Sequence, residues 1–138
     1  LMRSSAASDV YKRQMKNKPE LKEEINFKDE IHKVFYNEDY VGIVFDNDNS
    51  RNPYRLEVYK MNGSRIMKTE INMDFETIKF SGKNVLLYND MNCRIISLKG
   101  VNKFEHSFKK EINSIIPVDG SKTYLLMTNS TIEKIRLN

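Results

Sequence analysis

The sequence predicts an all-β protein: antiparallel four-stranded blade repeats forming a partial β-propeller of about three blades, the last blade lacking its outer strand. Three observations carry that reading. First, the chain repeats itself. Moved back by 39 positions, Tyr124-Leu125-Leu126-Met127 falls on Val85-Leu86-Leu87-Tyr88 without a gap. In the same alignment Ile132 falls on Cys93, Ile135 on Ile96, Leu137 on Leu98, Asn129 on Asp90 and Lys122 on Lys83. The tripeptide Glu-Ile-Asn also recurs, at Glu24-Ile25-Asn26, Glu70-Ile71-Asn72 and Glu111-Ile112-Asn113. A period near 40 residues belongs to propeller blades or to paired-helix repeats. Second, four of the five glycines punctuate the repeat at two points, Gly63 with Gly100 and Gly82 with Gly120. Third, the segments between them are short runs of β-branched and aromatic residues, and no useful helical stripe occurs after Ile31. This local chemistry selects strands over helices.

The elements follow in order. Residues 15–24 are a charged lead-in, and Leu21 to Asn26 reads as an outer strand. The blade region spans 21–138. Blade one, 31–71, takes Ile31 to Tyr36, Tyr40 to Asp46, Tyr54 to Met61 and Arg65 to Ile71. Asn62-Gly63 joins its last two strands and signals a two-residue hairpin with positive φ at both central positions. Blade two, 76–109, takes Glu76 to Phe80, Val85 to Asn89, Cys93 to Leu98 and Lys103 to Lys109. Blade three, 114–138, has Ser114 to Val118, Tyr124 to Met127 and Thr131 to Leu137. The continuous apolar runs at 85–88 and 124–127 fit strands covered on both faces. Lys68-Thr69-Glu70 and Glu105-His106-Ser107 fit the polar rim. Propellers carry roughly four to eight blades. The chain therefore reads as the C-terminal fragment of a larger ring, requiring the remaining blades of the same protein.

Composition narrows the function classes. The 138 residues are 39% apolar and 30% charged, with one cysteine, which excludes a collagen-like chain and a disulfide scaffold. The longest apolar run, Tyr40-Val41-Gly42-Ile43-Val44-Phe45, is far below the roughly 18 residues of a membrane span. The net charge is +4, but residues 1–14 hold three basic residues and one acidic. That segment, Leu1 to Gln14, matches nothing downstream and resembles a translated adapter or vector read-through, a non-native leader to be set aside. The remainder is +2, with 20 basic and 18 acidic residues interspersed, and no nucleic-acid partner is expected. Cys93 sits in an apolar strand pattern and reads as a buried hydrophobe rather than a reactive thiol.

Residues from Tyr40 onward carry a family resemblance. They are Tyr40-Val41-Gly42-Ile43-Val44-Phe45-Asp46-Asn47-Asp48, Asn52-Pro53-Tyr54-Arg55-Leu56-Glu57-Val58-Tyr59, Tyr88-Asn89-Asp90 with Cys93, Gly100-Val101 with Lys103-Phe104, and Thr131-Ile132-Glu133-Lys134-Ile135. This pattern resembles an uncharacterised family of low-GC Gram-positive bacteria, domain of unknown function 5711, over roughly 20–138. The resemblance implies single-span membrane proteins with an N-terminal anchor and a β-propeller-like domain outside the cell. It places this chain at the extracytoplasmic face of a bacterial membrane, held only through an anchor absent from these residues.

Candidate sites lie in loops. In an up-and-down sheet, the second-to-third-strand links share an end with the links between blades. That end carries Asp46, Asp48, Asn49, Arg51, Asn52, Asp90, Asn92 and Asn129, a polar face for a ligand. Asn and Asp also make turns by bonding their own backbone, and that role competes with binding here. A calcium loop is the weaker candidate. Asp46, Asp48, Ser50, Asn52, Tyr54 and Glu57 fall at its six ligand offsets, but Arg51 replaces the glycine of the sharp turn. His32 on an inner strand and His106 on an outer one have nothing to bring them together. With no nucleophile, phosphate-loop or metal-ligand motif, no catalytic residue and no cofactor are expected. The expected function is a non-catalytic binding or scaffolding module for a protein, a peptide or an envelope glycan. The alternatives are an enzyme whose site lies in upstream blades and a calcium-stabilised structural propeller.

Overall fold

A computed structural model describes residues 24–120 and 122–138. The leader at 1–14 and most of the lead-in at 15–24 lie outside the described residues. So does the start of the strand expected at Leu21 to Asn26; its described part, 24–26, is irregular.

Every described element is a strand, and all pairing is antiparallel. The first sheet holds β1 (Ile31–Tyr36), β2 (Tyr40–Asp46), β3 (Tyr54–Lys60) and β4 (Arg65–Ile71) in that order. The second holds β5 (Thr77–Ser81), β6 (Asn84–Tyr88), β7 (Asn92–Ser97) and β8 (Asn102–Ser107). The third holds β9 (Ile112–Pro117), β10 (Thr123–Thr128) and β11 (Ile132–Arg136). The sheets are meanders of adjacent strands and do not close on themselves. Among the described residues no helix is long and apolar enough to cross a membrane.

The repeat is visible in the hydrogen-bond registers. β6 pairs with β7 as Val85–Ile96, Leu86–Ile95, Leu87–Arg94 and Tyr88–Cys93. β10 pairs with β11 as Tyr124–Ile135, Leu125–Lys134, Leu126–Glu133 and Met127–Ile132, each pair moved by 39. The first strands are related by 37 instead: Ile78 opposes Leu87, and Ile115 opposes Leu126. The loop before β10 absorbs the difference, being two residues longer, with Asp119 (φ 42°) and Gly120 (φ 70°) in the left-handed region. The Glu-Ile-Asn marker is not a structural repeat. Glu70-Ile71 ends β4, whereas Ile112 opens β9.

One turn differs from expectation. Gly63 has φ 89°, but Asn62 is not left-handed. Gly63 N–H donates to Lys60 O at 2.9 Å, and Lys60 N–H donates to Ser64 O at 2.9 Å. This is a three-residue loop closed by a glycine bulge, not a two-residue hairpin. The β7–β8 turn is built alike, with Gly100 N–H to Ser97 O at 2.9 Å and Ser97 N–H to Val101 O at 2.8 Å.

Packing follows the alternation of side chains across β6. Val85 and Leu87 face the first sheet, in a core with Phe35, Val44, Leu56, Val58, Ile71 and Ile96. Leu86 and Tyr88 face the third, in a core with Cys93, Ile95, Ile115, Tyr124 and Leu126. The second sheet is therefore sandwiched, and all five residues of β6 are buried. The equivalent strand β10 is not: Tyr124 and Leu126 are buried while Leu125 and Met127 stay partly open. The expected continuous burial fails there because only one face has a sheet against it. The outer faces at both ends show apolar side chains, Ile31, Val34 and Tyr36 on β1, and Ile116 and Ile132 on the third sheet.

Tyr124 locks the second core to the turn of the neighbouring sheet. Ser81 Oγ lies 3.1 Å and Asn84 Nδ2 3.3 Å from its buried hydroxyl. Tyr124→Phe removes an oxygen that two buried polar groups bond, and is expected to lower stability by about 1–2 kcal/mol in urea denaturation.

Candidate functional site

The polar loops do gather at one end, and the links between sheets bind them there. Asp74, in the link from β4 to β5, accepts from Tyr54 OH at 3.2 Å through its side chain and from Asn89 Nδ2 at 2.8 Å through its carbonyl. In the link from β8 to β9, Phe108 N–H donates to Met91 O at 2.7 Å and Ile112 N–H to Asp90 O at 2.6 Å. Ile112 in turn pairs with Thr128, which opens the β10–β11 loop. The three second-to-third-strand loops are thus joined into one platform.

Turn chemistry uses part of the expected ligand face. Asn49 Oδ1 accepts from Arg51 N–H at 2.9 Å and from Asn52 N–H at 3.3 Å. Asn89 Oδ1 accepts from Met91 N–H at 2.9 Å and Asn92 N–H at 2.7 Å. Thr128 Oγ1 does the same for Ser130 and Thr131 at 3.3 Å and 3.0 Å. Asn92 Oδ1 takes the Ser107 hydroxyl at 2.5 Å. Side chains of short polar residues close these turns because they reach backbone N–H groups two and three positions on. Asp48, Arg51, Asp90 and Asn129 are exposed, and their side chains have no hydrogen-bond partner among the described residues.

A cluster that sequence spacing did not reveal sits beside this platform. His32 stacks on Tyr54 with ring centroids 4.5 Å apart and meets Phe75 edge-on at 5.9 Å. Its Nδ1 lies 3.3 Å from Asp46 Oδ1. Burial pushes the Tyr54 hydroxyl pKa up, and the hydrogen bond to Asp74 and the charges of Asp74 and Asp46 add to this. Five residues from β1, β2, β3 and the link from β4 to β5 converge, and no local motif signals it because strand pairing and the path of that link bring them together. His106 belongs to a separate cluster, 4.6 Å from Phe108 and 6.0 Å from Phe104.

The six offset positions of the calcium reading scatter. Asp46 faces His32, Asp48 and Ser50 are exposed, and Tyr54 turns to Asp74. Glu57 is buried in β3, its carboxylate held by Tyr59 OH at 2.6 Å, Arg55 Nε at 2.7 Å and Arg65 at 3.4 Å. Among the described residues no group of three or more His, Cys, Asp or Glu is arranged to hold a metal ion.

Cys93 is buried in β7, and burial pushes its thiol up to about 12. A thiol is inert as long as it stays protonated. Thiol reagents near pH 8 are expected to leave the folded protein unlabelled and to modify Cys93 promptly in denaturant; rapid labelling of the native state would contradict this placement.

No curated protein matches the chain. A family model described as a family of unknown function, DUF5711, matches residues 6–137, a range that reaches further toward the start than the residues carrying the resemblance. With nearly its whole length matched, the chain belongs to the DUF5711 family.

Proposed function

We propose that the chain is a non-catalytic binding or scaffolding part of a β-propeller, with the loop platform as its ligand face. The observation that carries this reading is the joining of three quasi-equivalent loops by the inter-sheet links. Such a platform is a fixed scaffold presenting the unused side chains of Asp48, Arg51, Asp90 and Asn129, an arrangement suited to recognition by polar contacts. The propeller reading is supported by face-to-face sheets related by 39 residues and by apolar side chains left open on both outer faces. Further sheets of the same kind would bury them, since exposed edges and apolar faces favour continued stacking. Placement outside a bacterial cell membrane, with a protein, peptide or envelope glycan as ligand, rests on the family resemblance.

The test compares the chain with an Asp48→Ala/Arg51→Ala/Asp90→Ala/Asn129→Ala variant. Both are immobilised and challenged with a peptide library and with purified envelope glycans. All four positions are exposed, so the variant keeps the fold. Selective capture by the parent that the variant loses supports the reading; identical capture by both rejects it.

A further inference from the structure

The opposite end of the sheet stack carries a second feature. A cavity of about 790 Å³ opens there, with walls from all three sheets. Lys83, Lys99, Lys103 and Lys122 line it, and no Asp or Glu does among the described residues. None of these four lysines forms an ion pair among the described residues. Its lining also has an apolar part, which includes Leu98 and Leu137.

The repeat builds this arrangement. Lys83 and Lys122 are related by the 39-residue shift, and each precedes the second strand of its sheet. The Lys83 carbonyl accepts from Leu98 N–H at 2.9 Å, and the Lys122 carbonyl accepts from Leu137 N–H at 2.7 Å. Leu137 is Leu98 moved by the same 39 positions. A unit of one lysine fixed to one leucine therefore occurs twice, in neighbouring sheets, on one cavity. Lys99 and Lys103 flank the Gly100 turn and add two further charges. Four cations around one opening raise the local potential and favour a multivalent anion. Ammonium groups bind phosphate as compact point charges, and a phosphoryl group offers several of them three oxygens that share more than one negative charge.

We propose that this cavity binds an organic anion carrying phosphoryl groups, its oxygens among the four lysines and its apolar part on Leu98 and Leu137. The inference is independent of the ligand face at the other end.

The experiment titrates the 138-residue chain with inorganic pyrophosphate at low ionic strength, followed by amide NMR shifts. Saturable shifts are expected at Lys83, 98–103 and Lys122, weakening as salt is added. Lys83→Ala/Lys122→Ala is expected to weaken binding by roughly tenfold or more. Lys109→Ala/Lys110→Ala removes the same charge near the loop platform and is expected to leave binding unchanged. All four positions are exposed, so both variants retain the fold. A second arm measures sedimentation with phosphatidylglycerol vesicles against phosphatidylcholine vesicles. Phosphatidylglycerol binding lost in Lys83→Ala/Lys122→Ala assigns the phosphoryl group to a lipid; pyrophosphate binding without vesicle binding assigns a soluble phosphate ester. Equal behaviour of the two double variants in both arms overturns the proposal.

Discussion

Glu57→Ala is expected to lower stability by about 3 kcal/mol, because it leaves the Arg55 guanidinium in a largely buried position without the more buried of its two anions. The Glu57 side chain is 6% exposed and that of Arg55 15%. Asp29 at 2.7 Å and the ring of Phe45, 4.6 Å beneath the guanidinium, remain as partners, which keeps the loss toward the lower end of the range for a broken buried pair. A Glu57→Leu/Arg55→Met variant separates the two contributions. Replacing both charges with apolar groups is expected to restore most of the loss, since neither ion is then desolvated. Equal destabilisation in both variants, read from urea midpoints, would show that the ion pair is not the cause.

The same network sets a pH dependence. Burial by itself pushes the Glu57 carboxyl up; hydrogen bonds from Tyr59 and Arg55, the Arg55 charge and Arg65 outweigh it and hold the group below its ordinary value. A carboxyl depressed in the fold contributes stability that is present above its unfolded pKa, about 4.3, and is lost as pH falls through the folded value. The melting temperature of the parent should therefore fall more steeply below about pH 4 than that of Glu57→Gln. Tyr59 acts at the other end of the scale. Burial, with its hydrogen bond to the Glu57 carboxylate and that group's charge, pushes its hydroxyl up to about 12 from 10.0. A raised pKa contributes stability that is complete below the unfolded value and declines as pH rises through the folded one. Tyr59→Phe should flatten the fall in stability between those two values.

Gly42→Ala is expected to destabilise the protein by about 2–3 kcal/mol through overpacking. Gly42 has no positive φ, so its backbone would accept any residue. The constraint is the Phe35 ring, which lies across it from the paired strand. A Cβ on residue 42 would stand 2.7 Å from Phe35 Cε2 and closer still to Cζ. The ring cannot swing away easily, being buried and packed 4.6 Å from Phe80. In a Phe35→Leu background the added methyl has room, and the increment should drop below about 1 kcal/mol. The same increment in both backgrounds would refute the steric cause.

Gly42 also marks where sequence reading stopped. The other four glycines announced themselves by recurring at turns, and all four have positive φ, 89°, 56°, 83° and 70° at Gly63, Gly82, Gly100 and Gly120. Gly42 sits inside a continuous apolar run, and nothing in the run tells which ring will cover it. His32 has the same difficulty. Its neighbours Asp46, Tyr54, Asp74 and Phe75 are up to 43 positions away, and only the registers of β1, β2 and β3 together with the link from β4 to β5 bring them to one corner.

By itself, the sequence determined the strands, all eleven within two residues at either end, and the 39-residue relation between the second and third sheets. These are local matters: a strand needs its own β-branched and aromatic residues, and a tight turn needs its own glycine or asparagine. Tertiary structure alone decided which faces are covered. Val85 to Tyr88 and Tyr124 to Met127 read alike as sequence, yet one is buried on both faces and the other on one. Burial is a property of the neighbouring sheet, and the strand's own residues carry no record of whether one is there. The partners of Glu57 were settled the same way, by cross-strand packing that turned a residue at a calcium-loop offset into the buried anion of an arginine pair.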